Sequence, residues 1–347
     1  MDPGQDHDRR PQRLPRHQVN NPTPTQSQSS RGTWWGWAEE YFGLLIALGL
    51  LITVFSLSTN HFLSLITFRT IANQIPSAII VATGMTYVLI IAEIDLSVGS
   101  VLGLCTALTG VGLMRYHWPL PVALAAAAAM GLICGLFNGL VSVRWRLPSF
   151  IVTLGMLEMA RGGAHALTNS QTQYIGTAIE GLAEATVLGL SFPFLLAIVI
   201  VIGAQLVLSR TIFGRYMIAI GTNEEAVRLS GIDPRPIKVV VFLLSGLLVA
   251  VAAVIDTSRF GSANPNAGTG FELQAIAAVV IGGTSLMGGR GSVITTFFGV
   301  LIIAVLNTGL AAVGAKDETK RLVTGLVIVA AVVLDHYRQR LRMSPRS

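Results

Sequence analysis

Charge is scarce in this chain. Asp, Glu, Lys and Arg make up 12% of its 347 residues, and 52% are hydrophobic. Soluble domains carry about 25% charged residues, so a soluble globular protein is excluded. Strand-like alternation is also missing, which excludes a membrane barrel built from short alternating segments. Cys105 and Cys134 are the only cysteines. Both lie in apolar runs with no metal-ligand spacing, so packing is their role. The six histidines, at positions 7, 17, 61, 117, 165 and 336, are scattered without an HExxH motif or a shared span. No metal site or membrane-enzyme constellation follows from them. The glycine loop Gly282–Ser292 has no lysine and lacks the Gly-Lys-Ser/Thr ending of a phosphate loop. It reads as a tight turn that permits close approach of helices or a partner. No cleavable signal is evident, because the first 38 residues are polar and no small-residue cleavage site follows the first apolar block.

What remains is a series of long apolar runs, including 41–57, 77–92, 122–143 and 192–208. About eighteen helical residues cover the hydrocarbon core of a bilayer. The pattern predicts an all-α polytopic membrane protein of about ten transmembrane helices, some broken or re-entrant. Their expected ranges are 40–58, 76–92, 96–113, 119–142, 148–167, 187–208, 237–257, 271–283, 292–314 and 321–336. The weaker segment 62–74 is read as an interfacial or broken half-helix. Residues 1–38 form a disordered basic tail, 39–337 the transmembrane domain, and 338–347 a second basic tail. Trp34, Trp35 and Trp37 make an aromatic belt at the first membrane entry. Arginines in both tails, Arg144, Arg146 and the basic residues of 209–238 place those segments in the cytoplasm by the positive-inside rule. The basic charge flanks spans and forms no single patch, so nucleic acid is not a partner.

The polar interruption Ser209–Lys238 carries five basic and three acidic residues between two apolar blocks. Thr222 and Glu225 have capping-box spacing, Gly231 stands at a C-cap position, and Asp233-Pro234 stops the helix. The expected product is a helix of about two turns from Asn223 to Ser230, too short to persist alone in water. It is either a capped loop helix packed on its own chain or a docking helix for a cytoplasmic partner. A second polar point is Glu93-Ile-Asp95-Leu-Ser97-Val-Gly99-Ser100. Carboxylates at membrane depth are paired or functional. With Ser97 and Gly99 beside them, Glu93 and Asp95 read as a helix break or gate, with proton coupling as the alternative.

Five blocks then become recognisable in order: Glu93–Leu102 (EIDLSVGSVL), Asn138–Arg161, Phe213–Ile232, Gly268–Gly291 and Leu306-Asn-Thr-Gly309. Together they resemble the ribose-type permease subunits of bacterial ABC sugar importers over about residues 40–336. The resemblance implies a non-catalytic, multi-pass subunit of the bacterial inner membrane with both termini cytoplasmic. It further implies a second permease copy or a paralogue, a periplasmic sugar-binding protein, surrounding lipid, and a separate ABC ATPase that binds ATP and Mg. This chain would hold no cofactor of its own.

On that resemblance the helix becomes the ATPase-coupling element, with Arg215, Thr222, Asn223, Glu224, Glu225, Ala226, Arg228 and Gly231 at the docking surface. Candidates for a sugar pathway are Asn73, Asn138, Glu158, Gln274 and Asn307, and Arg259, Phe260 and Asn264 are candidates for binding-protein contact. Two positions depart from the family pattern. Ala92-Glu93 stands where glycines are common, and Asp317–Arg321 where an aromatic and a glutamine are common. Related permeases carry nucleosides or branched-chain amino acids. The competing class is an ion-coupled secondary transporter using Glu93, Asp95 or Asp256.

Overall fold

The computed structural model describes residues 31–59, 62–187 and 189–343. The chain divides into two compact units, Met1–Glu39 and Glu40–Ser347, and the second is described below. The tails expected at 1–38 and 338–347, with the tryptophan belt, fall outside the described residues or on side chains at their edge.

Helix α1 covers Arg31–Ser58, with its apolar stretch from Tyr41. It is followed by α2 (Leu65–Gln74), α3 (Pro76–Ile90), α4 (Val98–Met114), α5 (Leu120–Trp145) and α6 (Ser149–Thr168). A polar segment holds β1 (Gln173–Tyr174), α7 (Thr177–Glu184), β2 (Thr186–Val187) and β3 (Leu190–Ser191). The second half contains α8 (Phe192–Arg210), α9 (Ile212–Leu229), α10 (Arg235–Phe260) and β4 (Ser262–Ala263). It ends with α11 (Phe271–Ile281), α12 (Val293–Ala312) and α13 (Asp317–Met343). The all-α expectation therefore needs one qualification. β1 pairs antiparallel with β4, placing Gln173 opposite Ala263, and β2 pairs with β3.

Local sequence sets the boundaries. Proline occupies the first turn of α3, α5, α8 and α10, where its missing N–H costs nothing. Left-handed residues end α5 at Arg146, α6 at Asn169 and α10 at Gly261. Ser64 and Ser292 accept N-terminal amides of α2 and α12.

Among the described residues, five helices are individually long and apolar enough to cross a membrane: Tyr41–Ser58 of α1, and α5, α8, α10 and α12. Helices α2 and α3, bent by 46°, together make a sixth. The expectation of about ten goes further than these criteria reach. The shortfall has a physical cause, because chain breaks cut apolar runs into pieces shorter than a bilayer crossing. Helix α4 is apolar but 17 residues long, and α11 has only 11. Helix α6 is long enough but carries Glu158 and Arg161.

The core forms where α10 lies against α5, α3 and α4. Helix α3 is buried on every side, so its sequence shows no polar face. Gly131, Gly135 and Gly139 recur every fourth residue along one face of α5. A Cβ on Gly135 would lie 2.3 Å from the Phe242 carbonyl oxygen, and one on Gly246 would lie 2.1 Å from that of Gly131. Backbone therefore meets backbone across this crossing, the small-residue packing that works where no hydrophobic effect pulls helices together. Outward faces carry Phe42, Leu45, Ile46, Leu50, Val199, Ile202 and Leu206.

Replacing Gly246 with Leu is expected to pry α5 from α10 and destabilise the bundle by roughly 1–3 kcal/mol or more. The readout is the melting temperature of the detergent-purified protein. Leu at Gly203, which meets open space, leaves that temperature unchanged.

Candidate functional site

The polar interruption folds as α9, but not as one helix. Asn223 has φ −162° and ψ 96°, extended values that break α9 and leave Glu224–Leu229 as a separate short turn of helix. The cap differs from the expected capping box. Asn223 Oδ1 accepts the Ala226 amide at 2.9 Å, whereas Thr222 Oγ1 donates backwards to the Ile218 carbonyl at 2.7 Å. Thr222 thus ends the preceding helix, and Glu225 is free to pair with Arg228 at 2.7 Å. Asn takes the cap because its side chain reaches the third amide while its own backbone is extended.

At the other end Gly231 has φ +86°. Its amide bonds to the Arg228 carbonyl, and the Ile232 amide to that of Val227. This is a Schellman stop, and it requires a residue that tolerates the left-handed region. Asp233 Oδ1 then accepts the Arg235 amide at 3.0 Å and starts α10. The short helix is seated by Val227, which is buried, and presents Ala226, Arg228 and Leu229 outward, Leu229 being 80% exposed. Arg215 is exposed one helix earlier.

Directly beneath the cap, three chain segments meet backbone to backbone. The Gly289 amide donates to the Ile90 carbonyl at 2.9 Å. A Cβ on Gly221 would fall 1.8 Å from that same carbonyl oxygen, and one on Gly289 would fall 3.0 Å from the Thr222 Cα. The glycine loop is therefore wedged between the end of α3 and the root of the short helix.

From Ile91 to Ser97 the chain is not helical, and Ala92 has φ +59°. Side chains of α6 close its open backbone groups. Ser149 Oγ accepts the Ile94 amide at 2.9 Å, and Thr153 Oγ1 accepts the Leu96 amide at 3.1 Å. Asp95 is buried and accepts from the Ser97 amide at 2.9 Å and the Ser97 hydroxyl at 2.6 Å. Asn138 Nδ2 donates to Ser97 Oγ at 2.9 Å. Gly99, in the first turn of α4, touches the backbone of Gly268.

An ion chain runs alongside. Lys238 Nζ contacts Glu93 Oε1 at 2.5 Å and Glu224 Oε2 at 2.7 Å. The Lys238 and Glu93 side chains are 12% and 15% exposed, and that of Glu224 is 49% exposed. All three line a cavity of about 700 Å³ shared with Arg146, Pro148 and Arg235.

A second cavity, of about 220 Å³, lies among α3, α11 and α12. Gln74, Arg259, Gln274 and Asn307 give it polar groups, and Ile75, Ala78, Val300 and Ile303 give it apolar wall. Arg259 donates to the Gln74 carbonyl at 3.0 Å, and its guanidinium lies 4.3 Å from the Phe260 ring centre. The structure thus joins Gln274 and Asn307, two of the five pathway candidates, with Arg259, a candidate from sequence for binding-protein contact. The other three are elsewhere. Asn73 is exposed, Glu158 is exposed on α6, and Asn138 is buried in the 91–97 network. Asn264 is exposed and accepts the Asn266 amide within its own turn.

Four contributors were not singled out from sequence. In sequence Lys238 is one inside charge among several, and Gln74 lies beside Asn73, the pathway candidate. Leu229 looked like an ordinary apolar residue. Gln205 sits in an apolar run, yet its Oε1 accepts the Val293 amide at 2.8 Å and caps α12 from α8. A lone amide inside an apolar span was the available signal for Gln205.

Comparison with known proteins gives concordant results. The model of the family described as branched-chain amino acid transport system / permease component matches residues 67–332. The ribose import permease protein RbsC of Escherichia coli K12 is 38% identical over 302 residues, covering 85% of this chain and 93% of the relative. The fructose import permease protein FrcC of Rhizobium meliloti is 33% identical, covering 86% of this chain and 83% of its own. The xylose transport system permease protein XylH of Haemophilus influenzae is 33% identical, covering 84% and 95%. No solved structure matches.

Asn223→Ala and Gly231→Ala should each loosen the short helix by roughly 1 kcal/mol through loss of a cap or left-handed strain. Amide hydrogen exchange over residues 224–229 should accelerate about fivefold for each, with the rest of the bundle unchanged.

Proposed function

The chain belongs to the family of branched-chain amino acid transport system permease components, and from that premise we propose that it is the membrane subunit of an ATP-driven importer of a monosaccharide. One observation carries the choice of substrate class. Relatives named for ribose, fructose and xylose match at 33–38% identity over 84–86% of this chain. A pentose, hexose or deoxyhexose is the cargo on this reading. The cavity holding Gln74, Gln274, Asn307 and Arg259 supports it. Amide and guanidinium groups set in an apolar wall suit hydroxyl-rich solutes, and about 220 Å³ is smaller than the roughly 300–1,000 Å³ of drug-sized sites.

The chain carries no phosphate-loop motif, so hydrolysis of ATP with its Mg falls to a separate ABC ATPase. That partner docks on the cytoplasmic side against Glu224–Leu229, with Ala226 and Leu229 as the seat and Arg215, Glu225 and Arg228 as the charged rim. Movement of the short helix passes to α8 and α10 and switches the cavity between the two faces of the inner membrane. A second permease, either another copy or a paralogue, completes the pathway. A periplasmic binding protein delivers sugar at the opposite end, near Phe260 and Asn264. The full reading has about ten crossings, with α4, α6, α11 and α13 completing the set and both termini cytoplasmic.

Glu225→Lys reverses an exposed charge that supports no buried contact. It should cut co-purification of the ATPase about tenfold and abolish uptake, and unchanged assembly would count against docking at this helix. Gln274→Leu and Asn307→Leu should instead lower uptake about tenfold with assembly intact.

A further inference from the structure

Lys238 joins two places that lie far apart in sequence. Glu224 is the first residue of the short helix beyond the Asn223 cap, and Glu93 belongs to the non-helical segment between α3 and α4. Lys238 stands in the first turn of α10 and reaches both carboxylates, at 2.5 and 2.7 Å. The two arms are unequal. The Glu93 arm is shielded, with both side chains under one-fifth exposed, whereas half of Glu224 is open. Salt and water screen an open pair far more than a shielded one. A docked partner would therefore act first on the Glu224 arm.

We propose that Lys238 is an electrostatic clasp that makes the break at residues 91–97 follow the short helix Glu224–Leu229, and that Glu93 and Lys238 are positioning residues for transport. The proposal rests on the permease reading above. A second contact makes the link stiff. The hydrogen bond from Gly289 to Ile90 and the near-touching backbone of Gly221 hold the end of α3 against the root of the short helix. A movement of that root is thus delivered to residue 90 by backbone and to residue 93 by charge. The cavity of about 700 Å³ that the ion chain lines leaves space for the displacement. Beyond residue 93 the hydroxyls of Ser149 and Thr153 on α6 and the Asp95–Ser97–Asn138 network hold the segment. Those contacts are short-range and exchangeable, so the segment can be repositioned without breaking a helix.

The location of Glu93 gives the proposal a sharp form. Glu93→Gln keeps the shape and removes the charge, Lys238→Met removes the other pole, and Lys238→Arg retains it.

The test uses the full complex with its ATPase and binding protein in proteoliposomes. Uptake of radiolabelled pentoses, hexoses and deoxyhexoses and ATP hydrolysis are read in the same vesicles. Glu93→Gln and Lys238→Met should each retain ATPase co-purification while sugar moved per ATP falls at least fivefold. Lys238→Arg should stay within twofold of wild type. The double variant E93Q/K238M should be no worse than either single one, because both remove the same link. Three results overturn the clasp: a wild-type ratio in Glu93→Gln, losses that multiply in the double variant, or loss of ATPase co-purification in Glu93→Gln, which marks a scaffold role. A wild-type complex that takes up none of these sugars overturns the permease reading itself, and the clasp falls with it.

Discussion

The constraint behind the whole structure is that backbone amides and carbonyls inside an apolar body must find partners without water. A continuous helix meets this condition automatically, and an interrupted one does not. This chain interrupts its helices at 91–97 and again at 282–292, and at both places the freed groups are closed from neighbouring elements. Ser149 and Thr153 serve the first break, and Gln205 serves the start of α12 after the second. Irregular backbone packed among apolar helices is tolerated only where the surroundings over-determine it. The two breaks are therefore the places where the fold has given up self-sufficiency for geometry.

Close packing makes that arrangement possible. Glycines at 131, 135, 139 and 246 bring α5 and α10 into backbone contact, and the same economy at Gly221, Gly288 and Gly289 brings the second break against the first. Side chains of ordinary size would separate these segments by several ångströms. The hydroxyl and amide partners would then fall short of the groups they close. Small residues, broken helices and borrowed hydrogen bonds are consequently one device with three visible parts.

Much of this was legible in the sequence, but unevenly. Long apolar runs gave the helices, and Gly231 with Asp233-Pro234 gave the end of the short helix, because those signals are local. The cap was misread at Thr222. The Thr-x-x-Glu spacing ignores the preceding turn, which Thr222 closes through the Ile218 carbonyl. Crossings were harder to count, since hydropathy does not say whether 17 apolar residues stop at a break or continue through it. The polar cavity was half visible: Gln274 and Asn307 stood out as amides in apolar runs, while Gln74 and Arg259 join them only through the bend between α2 and α3. The partnership of Lys238 with Glu93, 145 residues apart, has no local signature at all.

That last pair also bears on the carboxylates near the first break. Proton coupling asks for an ionisable group that can change its charge while facing a path. Glu93 instead faces a cation at 2.5 Å that it shares with the short helix, and Asp95 is occupied with the Ser97 amide and hydroxyl that begin α4. Asp256, the third candidate, accepts from the Ser77 hydroxyl at 2.5 Å, near the other end of α10 from Lys238. Each of the three acids thus has a polar partner of its own in the structure. The exposed apolar tip at Leu229, carried on a helix with a tight cap at each end, is the surface that the permease reading would offer to a partner.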